Sequence, residues 1–511
     1  MRKLFVLTVA VACIAGAAAA CSGSSGGGST SAPGGESTTA SPGSSNGATA
    51  SGTVVATSTA STGDGSLQRS AHDVPGDYVW NDSEVTEIVL KGNSASASSS
   101  AVKVNGATVT VTGAGTFRLG GTLDDGQVVV DAGKNDVVRL ILDGVDITNS
   151  KGAAIAVEKA ARAVVILEEG SKNRLADGSA YVFPDPASDE PNATLFSKAN
   201  LTIAGKGALE VTGRYNDGIA TKDGLVIAGG TIGVDAIDDG IRGKDYIVVR
   251  DGKIEVKAGG DGLKADNEED ASLGYVAVMA GQLTITSGRD GIDAATDALI
   301  ADGTIAINTG GGASGSLGTD VSAKGIKGTA SVAIQGGDFD LQTADDALHS
   351  NKSVTIDGGA FAIATGDDAI HADETLVVNG GAINVKLSYE GLESAAVTVN
   401  GGDITIVSSD DGINAAGGVD GSGAGQPAGG PGGAPGMAPP QGGPGRDQFG
   451  GAAGDYSVAI NGGTILVTAS GDGIDANGTL SMSGGTLVIQ GPTANNNGAL
   501  DYDRSFELTG G

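Results

Sequence analysis

The chain has 511 residues, of which 89 are glycine and only 3% are aromatic, and its formal net charge is −31 from 61 acidic and 30 basic side chains. So large an acidic excess argues against nucleic acid as a partner and points to bound cations. Of the two cysteines, one falls in an N-terminal leader, so the mature chain forms no internal disulfide.

Residues 1–20 read as an export signal. Met1-Arg2-Lys3 is a short basic segment, Leu4 to Ile14 is apolar, and small residues lead to Ala18-Ala19-Ala20-Cys21. That tetrad resembles a bacterial lipobox, with Ala18 where Leu is commoner. Cys21 is therefore the expected point of lipid attachment, placing the protein on the outer face of the cell membrane or in the envelope. Plain secretion with cleavage nearby is the alternative. The apolar run is too short for a spanning helix. Residues 21–77 form a low-complexity linker whose stretch from Ser22 to about Ser66 is Ser, Gly, Thr, Ala and Pro. Such a tether spans about 35–40 Å.

Residues 78–195 carry strand signals at irregular spacing, including Val109-Thr110-Val111, Val128-Val129-Val130, Leu140-Ile141-Leu142 and Val164-Val165-Ile166. They are the opening coils of a solenoid or a capping β-subdomain. Over 196–511 one phrase recurs at about 22 residues: two alternating segments around a Gly-Gly pair, followed by an acidic turn. Ile334, Ile356 and Val378 mark one position of the phrase at steps of 22, and Ile460 and Met482 repeat it. Alternation at period two means strands, and the period means units that must stack to bury an apolar face. The fold class is all-β, a parallel β-helix. Gly417 to Gly454, rich in Gly and Pro, interrupts the period. Val399 and Ile460 stand 61 positions apart, one coil plus a 39-residue insertion, so residues 417–454 are a disordered loop inside one coil. Gly510-Gly511 ends the chain where every earlier pair leads into a strand, so the chain is expected to be truncated.

The acidic turns carry the chemistry. Neighbouring coils place equivalent residues about 4.7–4.9 Å apart, where two carboxylates repel by about 0.9 kcal/mol even in water. Each Asp either closes its own turn by accepting backbone N–H groups or shares a cation with its neighbours. Ca²⁺, which takes several oxygen ligands in tolerant geometry, is the expected cofactor. The richest stretch supplies the candidate ligands Asn216, Asp217, Asp238, Asp239, Asp261, Asp266, Asp290 and Asp293. Arg242, Lys244 and Lys264 lie beside these acids, either as charge balance or as recognition groups for a sugar carboxylate. Tyr215 and Tyr389 each precede an acidic turn, where they pack or stack on a sugar ring. His349 and His371, 22 apart, form a His–Asp ladder in preference to a transition-metal site.

Asn216-Asp217-Gly218-Ile219, Asp238-Asp239-Gly240-Ile241-Arg242-Gly243-Lys244-Asp245, Gly260-Asp261-Gly262-Leu263-Lys264-Ala265-Asp266 and Asp290-Gly291-Ile292 resemble the bacterial β-helix carbohydrate-binding domain related to calcium-dependent polysaccharide lyases. The run Val138 to Ile147 and Asn497 to Tyr502 resemble the same family, so the likeness covers about residues 78–511. It implies a right-handed β-helix, bound calcium, an envelope location and binding of acidic or cellulose-like polysaccharide without catalysis. Two other readings stay open. A calcium-dependent lyase would use Lys264, Lys244 or Arg242 to abstract a proton from a uronate, and a structural or adhesive stalk would have no glycan ligand.

Overall fold

The computed structural model describes His72 and residues 74–183, 187–319, 321–416, 455–495 and 497–511. The leader, Cys21, most of the linker and the 417–454 loop lie outside the described residues.

Strand Thr231–Ala236 shows how the sequence makes the coil. Ile232 and Val234 turn inward while Thr231 and Asp235 face water, the period-two pattern that leaves one face of a strand dry. Stacked on the equivalent strand of the next coil, Lys253–Ala258, it pairs Ile232 with Ile254 and Val234 with Val256, in parallel register. The same parallel pairing continues from coil to coil, and the chain is a parallel β-helix. Ile334 pairs with Ile356, Ile356 with Val378, and Ile460 with Met482, as the 22-residue step requires.

Each coil holds three strands, not the two segments that the alternation suggests. A first sheet contains Gly224–Ile227 and Tyr246–Val249, a second contains Thr231–Ala236 and Lys253–Ala258, and a third contains Asp217–Thr221, Ile241–Gly243 and Leu263–Ala265. The third strand is often three residues long, with one large inward side chain and at most a small Ala or Gly after it, too short for alternation to register. Its inward residues form one continuous stack, Ile219, Ile241, Leu263, Ile292, Ile326, Leu348 and Ile370, all fully buried. Burial of each such side chain contributes about 1.5–3 kcal/mol. The coil interior takes few rings. Phe339 and Phe361, stacked 4.4 Å apart on neighbouring coils, are an exception.

The second glycine of each Gly-Gly pair turns the chain from the first sheet to the second. Gly359, with φ +106°, occupies a region that L side chains avoid. Two antiparallel hairpins begin the solenoid, Thr86–Gly92 with Ala95–Ala97 and Val102–Asn105 with Thr108–Val111. The body also extends into the stretch that composition assigns to the tether. Asp77 is buried against Arg162, 2.6 Å away, and the His72 ring stacks on Tyr246 at 3.8 Å.

Candidate functional site

The third strand fixes two rows of side chains on one face of the solenoid. The residue after each inward Ile or Leu points outward, and these residues align as Ala220, Arg242, Lys264, Asp293, Lys327, His349, His371, Glu393, Asn414 and Asp475. Two residues before each Ile or Leu lies the corner, giving a second row that starts Asp217, Asp239, Asp261, Asp290 and Lys324 and continues through Asp346, Asp368 and Glu390.

The corner carboxylates do not simply close their own turns. Oδ1 of each accepts the backbone N–H of the corner residue on the next coil: Asp217 from Asp239 at 3.2 Å, Asp239 from Asp261 at 2.9 Å, Asp261 from Asp290 at 2.9 Å and Asp290 from Lys324 at 2.7 Å. Asp346 receives Asp368 at 3.1 Å, and Asp368 receives Glu390 at 3.0 Å. The acid row is thus a coil-to-coil hydrogen-bonded ladder that satisfies otherwise buried N–H groups. The second oxygen, Oδ2, turns toward the strand row.

Between Asp217 and Asp293 that second oxygen meets the chain's own cations. The Lys264 ammonium touches Asp261 and lies 3.9 Å from Asp239 and 3.7 Å from Asp293. Lys327 lies 3.4 Å from Asp290 and 3.1 Å from Asp293. Arg242 bonds Asp266 through Nε at 3.0 Å and reaches Asp217 at 3.6 Å. Burial works against the charged form of Lys264, yet Asp261, Asp239 and Asp293 hold it protonated well above the usual lysine range. Asp261, Asp290 and Asp293 bring carboxylate oxygens within 4.8 Å of one another, as a shared ion requires, but the Lys264 and Lys327 ammonium groups pair with the same acids. Asp217 Oδ2 and Asp266 Oδ1, buried without a hydrogen bond, both belong to partners of Arg242. Asn216 donates its amide to Asp217 at 3.0 Å, and Asp238 is exposed to solvent.

Tyr215 offers no open platform on both faces: Tyr181 stacks on it at 4.2 Å and Phe183 meets it edge-on. His349 and His371 do form the expected ladder, with rings 4.9 Å apart and His349 Nδ1 2.8 Å from Asp346 Oδ2. Lys324, 2.6 Å from Asp345 and 3.1 Å from Asp346, compensates that level.

At the other end of the rows, a polar cleft of about 130 Å³ is lined by Asp189, Glu190, Asn192, Phe196, Ala220, Thr221, Lys222, Arg242 and Lys244. Lys222 is paired with Glu190 at 2.6 Å, and Arg242 with Asp266. Lys244 has no ion pair among the described residues. Sequence reasoning reached Arg242 and Lys244 but missed Asn192 and Lys222, which come from an irregular segment and a turn. It also missed Lys327 and Glu393. Gly325-Ile326-Lys327 and Gly391-Leu392-Glu393 repeat the pattern of Gly240-Ile241-Arg242, a signal hidden for Lys327 by the 34-residue step from Asp290 to Lys324 and open for Glu393, which follows His371 at the regular step.

The family model described as "Carbohydrate-binding domain-containing protein" matches residues 105–369, just over half of the chain. A protein of that description from Acetivibrio thermocellus is 42% identical over 128 residues, which are 25% of this chain and 45% of that protein. The chain therefore matches less than half the length of that relative. A solved structure described as the polysaccharide lyase-like protein from C. thermocellum, a gadolinium derivative, shows 35% identity and a TM-score of 0.44, covering 44% of this chain and 92% of that one. By the match over residues 105–369, the chain belongs to the family of carbohydrate-binding domain-containing proteins.

Proposed function

We propose that this protein is an exported solenoid, anchored through Cys21, that binds an acidic or cellulose-like polysaccharide without cleaving it. The observation that carries this reading is the cleft beneath Lys244. Its ammonium is the cation in that cleft with no carboxylate partner among the described residues, and Asn192, Lys222 and Arg242 lie around it. A uronate carboxylate placed there gains a charge-assisted hydrogen bond. With a net charge of −31, the molecule as a whole does not attract a polyanion, and in the cleft Glu190 is neutralised by Lys222, so recognition has to be local. The leader sequence and the Ala18 to Cys21 tetrad support export and anchoring.

The chemistry of the rows favours binding over lysis. A lyase base must be unprotonated when it meets the substrate, whereas Lys264 is held charged by Asp261, Asp239 and Asp293, and Arg242 by Asp266, Asp217 and Asp239. Calcium is assigned no step among the Asn216 to Asp293 acids, which have their own counter-charges.

The test is retention of the purified protein on polygalacturonate and on cellulose, with ultraviolet absorbance of unsaturated product followed in parallel. Wild type should be retained without product, and Lys244→Ala should lose polygalacturonate retention at least fivefold. Product that disappears in Lys264→Ala would restore the lyase reading, and no retention on either polymer would leave the stalk.

A further inference from the structure

Beyond Lys327 the two rows carry no lysine or arginine. After the two histidines they continue as Glu390 and Glu393, then Asp411 and Asn414. Glu390, Glu393 and Asn414 are 7%, 1% and 8% exposed. The ladder changes here, because Glu390 Oε1 accepts the Asn414 amide at 3.0 Å. That bond leaves Glu390 Oε2 and Asn414 Oδ1 as buried oxygens without a hydrogen-bond donor among the described residues. Glu393 Oε2 also lacks an aligned donor, although His371 Nδ1 approaches it to 2.5 Å.

Glu390 Oε2 and Asn414 Oδ1, buried with nothing to accept from, are costly to desolvate unless a cation faces them, and Glu393 Oε2 beside them has only the poorly aligned His371. The histidine cannot ligate that cation. Its Nδ1 faces Asp368 and Glu393, and its Nε2 lies 3.0 Å from Asp373, so carboxylates engage both nitrogens. The remaining donors are two carboxylates and an amide carbonyl, a hard all-oxygen set suited to Ca²⁺ rather than to a transition metal. We propose that Glu390, Glu393 and the Asn414 carbonyl oxygen bind a divalent cation of the calcium type between two coils, C-terminal to the segment that the family model matches. Asp411, in the corner row beside Glu390, adds negative charge to the same place.

The experiment is calorimetric titration of chelator-treated protein with CaCl₂, together with melting curves. Wild type should take up at least one Ca²⁺ more than the Glu390→Gln, Glu393→Gln double variant, and only wild type should gain several degrees of melting temperature from that ion. The metal-free double variant should keep a single cooperative melting transition even though Glu393→Gln also removes a partner of His371, which separates lost binding from lost folding. Asn414→Leu, with both acids intact, should weaken the same step at least tenfold. Uptake by the double variant equal to that of wild type, or no uptake by wild type, would overturn the site. Lys244→Ala should keep this ion, so failure of the polysaccharide reading would leave the result standing.

Discussion

Asp261 joins two roles in one carboxylate: its Oδ1 accepts the backbone N–H of Asp290 at 2.9 Å, 29 residues away, while its Oδ2 holds Lys264. The two roles separate by substitution. Asp261→Asn keeps the acceptor and removes the charge, whereas Asp261→Ala leaves a buried N–H unsatisfied and a half-buried ammonium short of its nearest partner. An orphaned buried donor costs about 1–3 kcal/mol. Urea unfolding should therefore show Asp261→Ala destabilised by about 2–4 kcal/mol and Asp261→Asn by less than half of that. Equal losses would mean that the capping bond contributes nothing.

Val399 and Ile460 are register partners on adjacent coils, as are Ile413 and Ile474. The coil on either side of the insertion is therefore complete without it. In an uninterrupted coil two residues, Lys244 and Asp245, join the third strand at Gly243 to the first-sheet strand at Tyr246. Joining Ala416 directly to Tyr456 recreates that two-residue link between Ala415 and Ser457. Because closure entropy grows only with the logarithm of loop length, the shortened protein should be as stable as wild type or more stable, by up to about 2 kcal/mol. Loss of the cooperative transition would contradict the register.

Much of this was open to sequence reading, and the exceptions have physical causes. Ile334, Ile356 and Val378 announce the coil because their spacing is uniform and their neighbours alternate. Arg242 and Lys264 were legible because each follows an acidic corner reached at the regular 22-residue step. Lys327 follows the same kind of corner but sits after a 34-residue step, and in its corner a lysine, Lys324, replaces the acid. Tyr181, which covers Tyr215, lies in a segment without periodicity, so no spacing could place one ring over the other. The cation-free end of the rows was likewise invisible, since Glu390 and Glu393 look like another acidic turn until the counter-charges of the earlier levels are counted.

Gly359 tests the corners. Its φ of +106° is unfavourable for any residue with a Cβ, and that Cβ would lie 3.0 Å from the Gly337 carbonyl oxygen and 3.2 Å from the Phe361 ring. Backbone strain of this kind costs about 1–3 kcal/mol, before the contact is relieved. Gly359→Ala should lower the unfolding free energy by at least 2 kcal/mol. Gly106, at φ +60° with open space around it, is the contrast: Gly106→Asn places a residue that tolerates this conformation and should cost less than 1 kcal/mol.

The acid ladder also sets a pH dependence. Asp217 is fully buried, and burial first, then repulsion from Asp239, pushes its carboxyl up to about 7 against the pull of Arg242. A carboxyl raised in the folded state binds its proton more tightly there than in the unfolded chain. Its contribution to stability is complete below about pH 4, the unfolded value, and is lost as pH rises through 7. The slope follows from the extra proton held by the native state over that window, and a rise from the unfolded value to about 7 corresponds to roughly 4 kcal/mol. Asp217→Asn keeps an oxygen for the Asp239 N–H and cannot ionise. In chelator, the variant and wild type should have similar stability near pH 4, and the variant should be the more stable by a few kcal/mol at pH 8. Parallel stability curves from pH 4 to 8 would show that Arg242 neutralises Asp217 in full, and that the ladder carries its charges without cost at that level.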